Sequence, residues 1–253
     1  MKSFDINIDQ GSLVSLILIL LVFVPMLLCV AFMTIIERKA MGSMQRRIGP
    51  NVVGYYGVLQ PFADALKLVV KEQIIPAQSN KALFFLAPMI SLVFSLLGWA
   101  TIPFGSGMAI TDISLGMLFS LAVSSIGVYG ALFAGWAANS KYAFLGSLRS
   151  TAQMVSYELI FSTCVAAVIL LAGSLNFTTI VEAQTSIWFI VPLFPLFIMY
   201  LISALAELNR TPFDLPEAES ELVSGFMTEH SGMIFVIFYI AEYSGVVLMS
   251  SFS

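Results

Sequence analysis

The sequence predicts an all-α polytopic membrane protein. It has about six transmembrane helices in a single membrane domain over 1–253, plus an interfacial amphipathic helix in the first inside loop. Three observations carry this prediction. The chain is 59% hydrophobic and only 10% charged, with a mean hydropathy of +0.96, too little polar surface to cover a soluble fold of 253 residues. Its apolar runs reach about 20 residues, the length of helix that crosses a bilayer core of about 30 Å. Lysine and arginine concentrate in alternate loops, the pattern of a multi-pass chain. Period-two alternation gives strands no support, so the spans are helices that satisfy their own backbone groups.

In order, the spans are about 13–36, 82–104, 113–138, 152–172, 187–206 and 233–253. Lys2, Asp5 and Asp9 precede a first run too long for the core of a cleavable signal. Pro25, Pro88, Pro192 and Pro195 lie inside apolar runs, where they are expected to kink helices rather than end them. The loop after the first span carries Arg38, Lys39, Arg46, Arg47, Lys67, Lys71 and Lys81; the third loop carries Lys141 and Arg149, and the fifth Arg210. The second and fourth loops carry none, and the N-terminal tail has only Lys2. This alternation puts the odd-numbered loops on the cytoplasmic or matrix side and the N-terminus outside.

The first inside loop is too long to be a mere connector. Its 45–57 stretch, QRRIGPNVVGYYG, is turn-rich. After it, Leu59, Phe62, Ala63, Leu66, Val69, Val70 and Gln73 follow near-helical spacing with Asp64, Lys67 and Lys71 opposite. Such a segment lies in the interface with its apolar side down. It is either a helix packed on the bundle or the lip of a lateral opening towards lipid.

Several chemistries are excluded. Cys29 and Cys164 both lie in apolar runs, which leaves no disulfide framework and no cysteine metal site. The single histidine, His230, rules out a histidine-cluster metal centre. Cysteines and histidines are too few for iron–sulfur ligation, and no Gly-rich nucleotide fingerprint is present. The strongly polar concentration is 203–231, with six of the chain's fifteen acidic residues: Glu207, Asp214, Glu217, Glu219, Glu221 and Glu229. Thr211-Pro212 suits a turn or helix entry, and Asp214-Leu215-Pro216-Glu217 reads as an N-cap with an acid three residues on. A helix begun there puts Glu217 and Glu221 on one face, where like charges repel.

Four more carboxylates stand where hydrocarbon is expected. Glu158 lies about 10 Å into the fourth span and Glu242 about 15 Å into the sixth, at 1.5 Å per residue. Glu37 and Glu207 close the inner ends of the first and fifth spans. Each intramembrane carboxylate costs at least about 2.5–3.5 kcal/mol to insert. One reading makes Glu158 and Glu242 neutral packing glue, and Glu37 and Glu207 interfacial anchors. The other makes all four a chain of acids that faces a hydrated interior and passes protons. Tyr157 and Tyr243 flank the two deep glutamates and either join that relay or are satisfied core tyrosines. Ser124, Ser125 and Tyr129 read as helix-packing residues. The 135–158 stretch, GWAANSKYAFLGSLRSTAQMVSYE, reads as a short inside loop that either binds a partner or simply connects.

Four motifs carry a family resemblance: ERKAMGSMQRRIGPNVVGYYGVLQPFADALKL (37–68), GWAANSKYAFLGSLRSTAQMVSYE (135–158), AELNRTPFDLPEAESELVSGF (206–226) and AEYSGVVLMS (241–250). On these the chain resembles subunit 1 of respiratory complex I, the NADH:ubiquinone oxidoreductase, in its mitochondrial style rather than that of the related membrane-bound hydrogenases. The resemblance implies a membrane subunit at the foot of a peripheral arm whose inside loops form the membrane part of a quinone chamber. Glu37, Arg38 and Arg47 then fall at the chamber's entrance and wall, Phe62 and Asp64 on its amphipathic helix, and Tyr142 beside it, with Arg210 and Phe226 also on the quinone side. Asp214, Glu217, Glu219 and Glu221 form an acidic funnel, and Glu207, Glu158 and Glu242 lead from it towards the proton-pumping arm.

Ubiquinone is the implied substrate, with NADH, flavin and iron–sulfur clusters held by partner subunits of the peripheral and membrane arms. Lipids are expected neighbours, and nucleic acid is not. The implied location is the mitochondrial inner membrane, with the N-terminus on the intermembrane-space side. The family carries two more spans after the sixth, whereas this sequence ends at Ser253, so a shortened subunit or a companion chain carrying them is expected. The alternative function is a stand-alone proton or ion transporter or channel built on the same acids, although the inverted repeats usual in transporters are not found. A purely structural anchor for a peripheral arm leaves the deep Glu158 and Glu242 without a purpose.

Overall fold

The computed structural model describes residues 12–105, 109–215 and 223–253. Among them there is no strand. The helices are α1 (Ser12–Met44), α2 (Gln60–Val70), α3 (Lys81–Leu97), α4 (Gly116–Ala138), α5 (Lys141–Ala172), α6 (Phe177–Ala183), α7 (Phe194–Glu207) and α8 (Met233–Phe252). Among the described residues, five helical segments are long and apolar enough to cross a membrane: Ile19–Met44, Lys81–Thr101, Gly116–Ala138, Lys141–Ala172 and Met233–Phe252. Large apolar side chains on them face outward, such as Leu21 at 65% and Leu170 at 83% exposure, as expected of helices solvated by lipid tails.

The helix boundaries differ from those expected in three places. The first helix does not stop at residue 36; it runs to Met44 and carries Glu37, Arg38 and Lys39 in helical register. The 135–158 stretch is not a loop. Asn139 adopts a left-handed conformation that ends α4, and α5 begins at Lys141, so the connection is Asn139-Ser140 alone. At 32 residues α5 is about 48 Å long, and Glu158 sits at its middle rather than near one end. The fifth apolar run yields α7, which has only 14 residues. That is about 21 Å, short of a full crossing on its own. Proline explains the shortening: Pro195 occupies the first turn of α7 and Pro192 lies in the turns before it, so neither kinks a helix interior. Pro25 and Pro88 do lie inside helices.

The described residues fall into two compact units, 75–229 and 12–74 with 230–253. In the first, α4 packs against α3 and α5, and α5 packs against α7. Small residues set these distances. A methyl group on Gly135 of α4 would meet Ser147 Oγ of α5 at 2.2 Å, and one on Gly130 would meet Ser91 Oγ of α3 at 2.0 Å. Backbones this close gain dispersion and exclude lipid without needing a hydrophobic driving force. In the second unit, α8 packs against α1 and α2. The turn-rich 45–59 segment folds back on the end of α1, where Lys39 Nζ donates to the Tyr56 carbonyl at 2.5 Å and lies over the Tyr56 ring.

Candidate functional site

In the first unit the structure pairs two of the predicted acids with two adjacent serines. Ser124 Oγ on α4 donates to Glu207 Oε1 at 2.5 Å. Ser125, the next residue, donates to Glu158 Oε1 on α5. Consecutive residues on a helix point about 100° apart, so one turn of α4 addresses both α5 and α7.

Glu207 is only 5% exposed, and its second oxygen, Oε2, has no hydrogen-bond partner among the described residues. A buried acid held by one bond is under-satisfied, which is uncommon unless the group has a task. The Ser125 hydroxyl also lies 3.1 Å from the Leu121 carbonyl. It has one proton for two acceptors. With Glu158 ionised, Ser125 donates to it. With Glu158 protonated, the acid can donate to Ser125, whose own proton turns to Leu121. The pair therefore accommodates both protonation states without moving a helix.

Around this pair, the Tyr157 ring packs on Phe213 with centroids 5.6 Å apart. Gln153 Nε2 donates to the carbonyls of Ala206 and Phe213. Asp214 is part-buried and Arg210 begins the turn that leads to it. Phe226, 8% exposed, lies in a short 3-10 turn, Gly225–Met227, packed on α5 and α4, while Tyr142 in the first turn of α5 is exposed. Glu217, Glu219 and Glu221 lie outside the described residues.

The second unit gathers a separate polar cluster. Tyr243 donates to Glu37 Oε2 at 2.5 Å, and Tyr239 donates to Tyr243 at 3.1 Å. Arg38 Nη1 pairs with Asp64 Oδ2 at 2.6 Å, and Gln60 donates to the same carboxylate at 2.9 Å. Arg38 also interacts with the Tyr239 hydroxyl. The cluster thus runs from the amphipathic helix α2 to Glu37 and α8. Phe62 packs edge-on against Phe32 at 6.2 Å, while Arg47 is exposed and bonds Gln45 at 2.7 Å. Glu242 is half-buried on α8, beside Tyr243 in sequence.

Partial burial pushes the Asp64 carboxyl up, but hydrogen bonds from Arg38 and Gln60 and the Arg38 and Lys67 charges outweigh it and hold it below the ordinary aspartate value. Its contribution to stability is therefore complete above that ordinary value and is lost as pH falls through the depressed one. Both partners are about one-third to one-half exposed, so the pair is worth only about 0.2–1 kcal/mol. Asp64→Asn is expected to leave the α1–α2 junction folded at neutral pH but raise its proteolytic nicking severalfold. The rise should vanish once pH falls below the depressed Asp64 value, where Asp64 of the unmodified chain is itself protonated.

Several residues in these clusters were not expected there from the sequence. Ser124 and Ser125 had the pattern of packing residues, and Tyr239, Gln60 and Gln153 did not stand out. Adjacent serines in the middle of an apolar span were the available signal.

A family model described as NADH dehydrogenase matches residues 17–253. The chain is 73% identical over 241 residues to NADH-ubiquinone oxidoreductase chain 1 of Mycosarcoma maydis, covering 95% of this chain and 73% of that one. It is 62% identical to the Podospora anserina protein of the same name, over 94% of this chain and 65% of that one. Against the NADH-ubiquinone oxidoreductase chain 1 of Chondrus crispus it is 56% identical, over 93% of this chain and 72% of that one. The chain thus spans about two thirds to three quarters of the length of these relatives. With the matched stretch running through every helix that carries a clustered acid, the chain belongs to the NADH dehydrogenase family.

Proposed function

We propose that this chain is the membrane subunit of an NADH:ubiquinone oxidoreductase that couples quinone reduction to proton translocation through buried carboxylates. It sits in the mitochondrial inner membrane with its odd-numbered loops on the matrix side. The observation that carries the reading is the Ser124–Ser125 joint, which holds two acids on two helices in an arrangement tolerant of either charge state. A packing role needs neither acid, because alanine or leucine would fill the same interfaces without the insertion penalty. Glu158 and Glu207 exchange protons within the first unit. Glu37, Glu242 and Tyr243 serve the same task in the second, and Asp214, Glu217, Glu219 and Glu221 respond to the charge that quinone reduction creates.

Arg38, Arg47, Phe62, Asp64, Tyr142, Arg210 and Phe226 contribute to the chamber for the quinone, which is a substrate and not a resident group. The electron carriers, NADH, flavin and iron–sulfur clusters, belong to partner subunits of the peripheral and membrane arms. Family membership weighs against a stand-alone transporter, since the relatives are named as chains of an oxidoreductase. An affinity tag on this chain should bring NADH:quinone reductase activity out of mildly solubilised inner membranes, in a particle far larger than 27.6 kDa. A tagged chain that runs alone or as a small oligomer, without that activity, contradicts the proposal.

A further inference from the structure

One face of α5 is devoted to a single short segment of chain. Ser150, Gln153 and Tyr157 recur at helical spacing and meet residues 206–213, the turn that links Glu207 to the acidic stretch. Asn209 Nδ2 donates to Ser150 Oγ at 3.1 Å, and the Tyr157 ring packs on Phe213. Gln153 makes the central contacts: its Nε2 donates to the Ala206 carbonyl at 2.7 Å and the Phe213 carbonyl at 2.6 Å, with Asn209 Oδ1 at 3.2 Å. An amide nitrogen has two protons, so the two short bonds to backbone carbonyls take both.

The Ala206 carbonyl belongs to the last turn of α7, where the usual i+4 amide is missing, and it accepts the Asn209 backbone N–H at 3.2 Å. Gln153 supplies a second, shorter bond from a neighbouring helix. It does so from a position 6% exposed, leaving its own Oε1 buried and without a partner among the described residues. A buried amide that leaves half its bonding capacity unused is a poor choice for stability alone. It is a good choice for fixing two carbonyls seven residues apart, one on each side of the turn.

We infer that Gln153 is a positioning residue for Glu207, clamping the end of α7 and the following turn so that the Glu207 carboxylate is held on Ser124. The inference rests on the reading of Glu207 as a proton-exchanging acid. Gln153 touches no reacting group. It acts by removing freedom from the residue after Ala206, and a misplacement of about 1 Å from a remote change can lower a rate by as much as about a hundredfold. The charge of Glu158 on α5 acts on Glu207, and that of Glu207 acts on Tyr200 of α7; the bonds of Gln153 go to neither Glu158 nor Tyr200.

The test uses the assembled complex in sealed membranes. Gln153→Met keeps the volume and removes both donors, and it should lower quinone-dependent proton translocation by roughly tenfold. It should also displace the pH–rate profile by half a unit or more, and the displacement should be absent when Glu207→Gln is already in place. Asn209→Gly keeps the positive φ of 50° at that position while removing the side-chain bond to Ser150 and the longer approach to Gln153, and should displace the profile in the same direction by less. A slower rate with an unshifted profile, or the same shift in the Glu207→Gln background, overturns the inference. Failure of both variants to assemble also overturns it, because the clamp is then merely structural. If Glu207→Gln alone leaves rate and profile unchanged, the proton role of Glu207 fails instead, and the two outcomes are distinct.

Discussion

Glu207→Gln is expected to lower coupled quinone reduction by roughly 10–100-fold while the complex still assembles. The substitution is nearly isosteric, and the new carbonyl can still accept the Ser124 proton now given to Oε1. What disappears is a group able to gain and lose a proton. The added amide donor stands where Oε2 lacks a partner, a cost of about 1–3 kcal/mol that neighbouring packing can absorb. The assay is quinone-dependent NADH oxidation alongside proton uptake in sealed membranes, with a soluble electron acceptor as control. Oxidation through that acceptor should be untouched, since this chain holds neither the NADH site nor a redox centre in the proposed assignment. Unchanged quinone activity would show that a buried acid at this position is only packing.

Gly135→Ala is expected to abolish or severely reduce assembly. A methyl group there would lie 2.2 Å from Ser147 Oγ, 2.4 Å from Ser147 Cβ and 2.5 Å from the Ala143 carbonyl. Ser147 is 0% exposed and cannot retreat, so α4 and α5 must separate near the two-residue turn that joins them. Overpacking of this kind costs about 1–3 kcal/mol and occasionally more, and a contact with fixed backbone belongs at the upper end. The separation also draws Ser125 away from Glu158, so surviving complex should pump less per quinone reduced. Gly135→Ala with Ser147→Gly removes two of the three close contacts and should recover part of the assembled yield, read by native gel and by the melting temperature of the complex.

The two pairs show what the sequence could and could not reveal. Glu158 and Glu207 stand out because a carboxylate in an apolar run is expensive, and no partner need be known to see that. Their serines do not stand out. A hydroxyl in a membrane helix ordinarily bonds a carbonyl three or four residues back, as Ser95 does with Leu92 and Ser120 with Met117. Only the register of α5 and α7 on α4 turns Ser124 and Ser125 to the acids, and that register is set by tertiary packing such as that of Gly135 on Ser147.

The helical start at Lys141 was hidden for a related reason. Lys141, Arg149 and the hydroxyl residues Tyr142, Ser147, Ser150 and Thr151 dilute the hydropathy of 141–151, yet no proline interrupts it, and Ser147 and Ser150 face protein rather than lipid. The short α7 follows from Pro192 and Pro195, whose effect depends on where a helix begins. The amphipathic helix was legible as a periodicity, but the Asp64–Arg38 pair that ties it to α1 was legible only as two charges 26 residues apart.

The central claim is that Glu158 and Glu207 act as one proton-exchanging unit through adjacent hydroxyls on α4. The most direct measurement is proton translocation by Glu158→Gln, Glu207→Gln and the double variant, each as assembled complex in sealed vesicles driven by NADH and quinone. Groups that work as a unit lose their function once, not twice. The account predicts a double variant no more impaired than the worse single one. Losses that multiply would show two independent acids and contradict it.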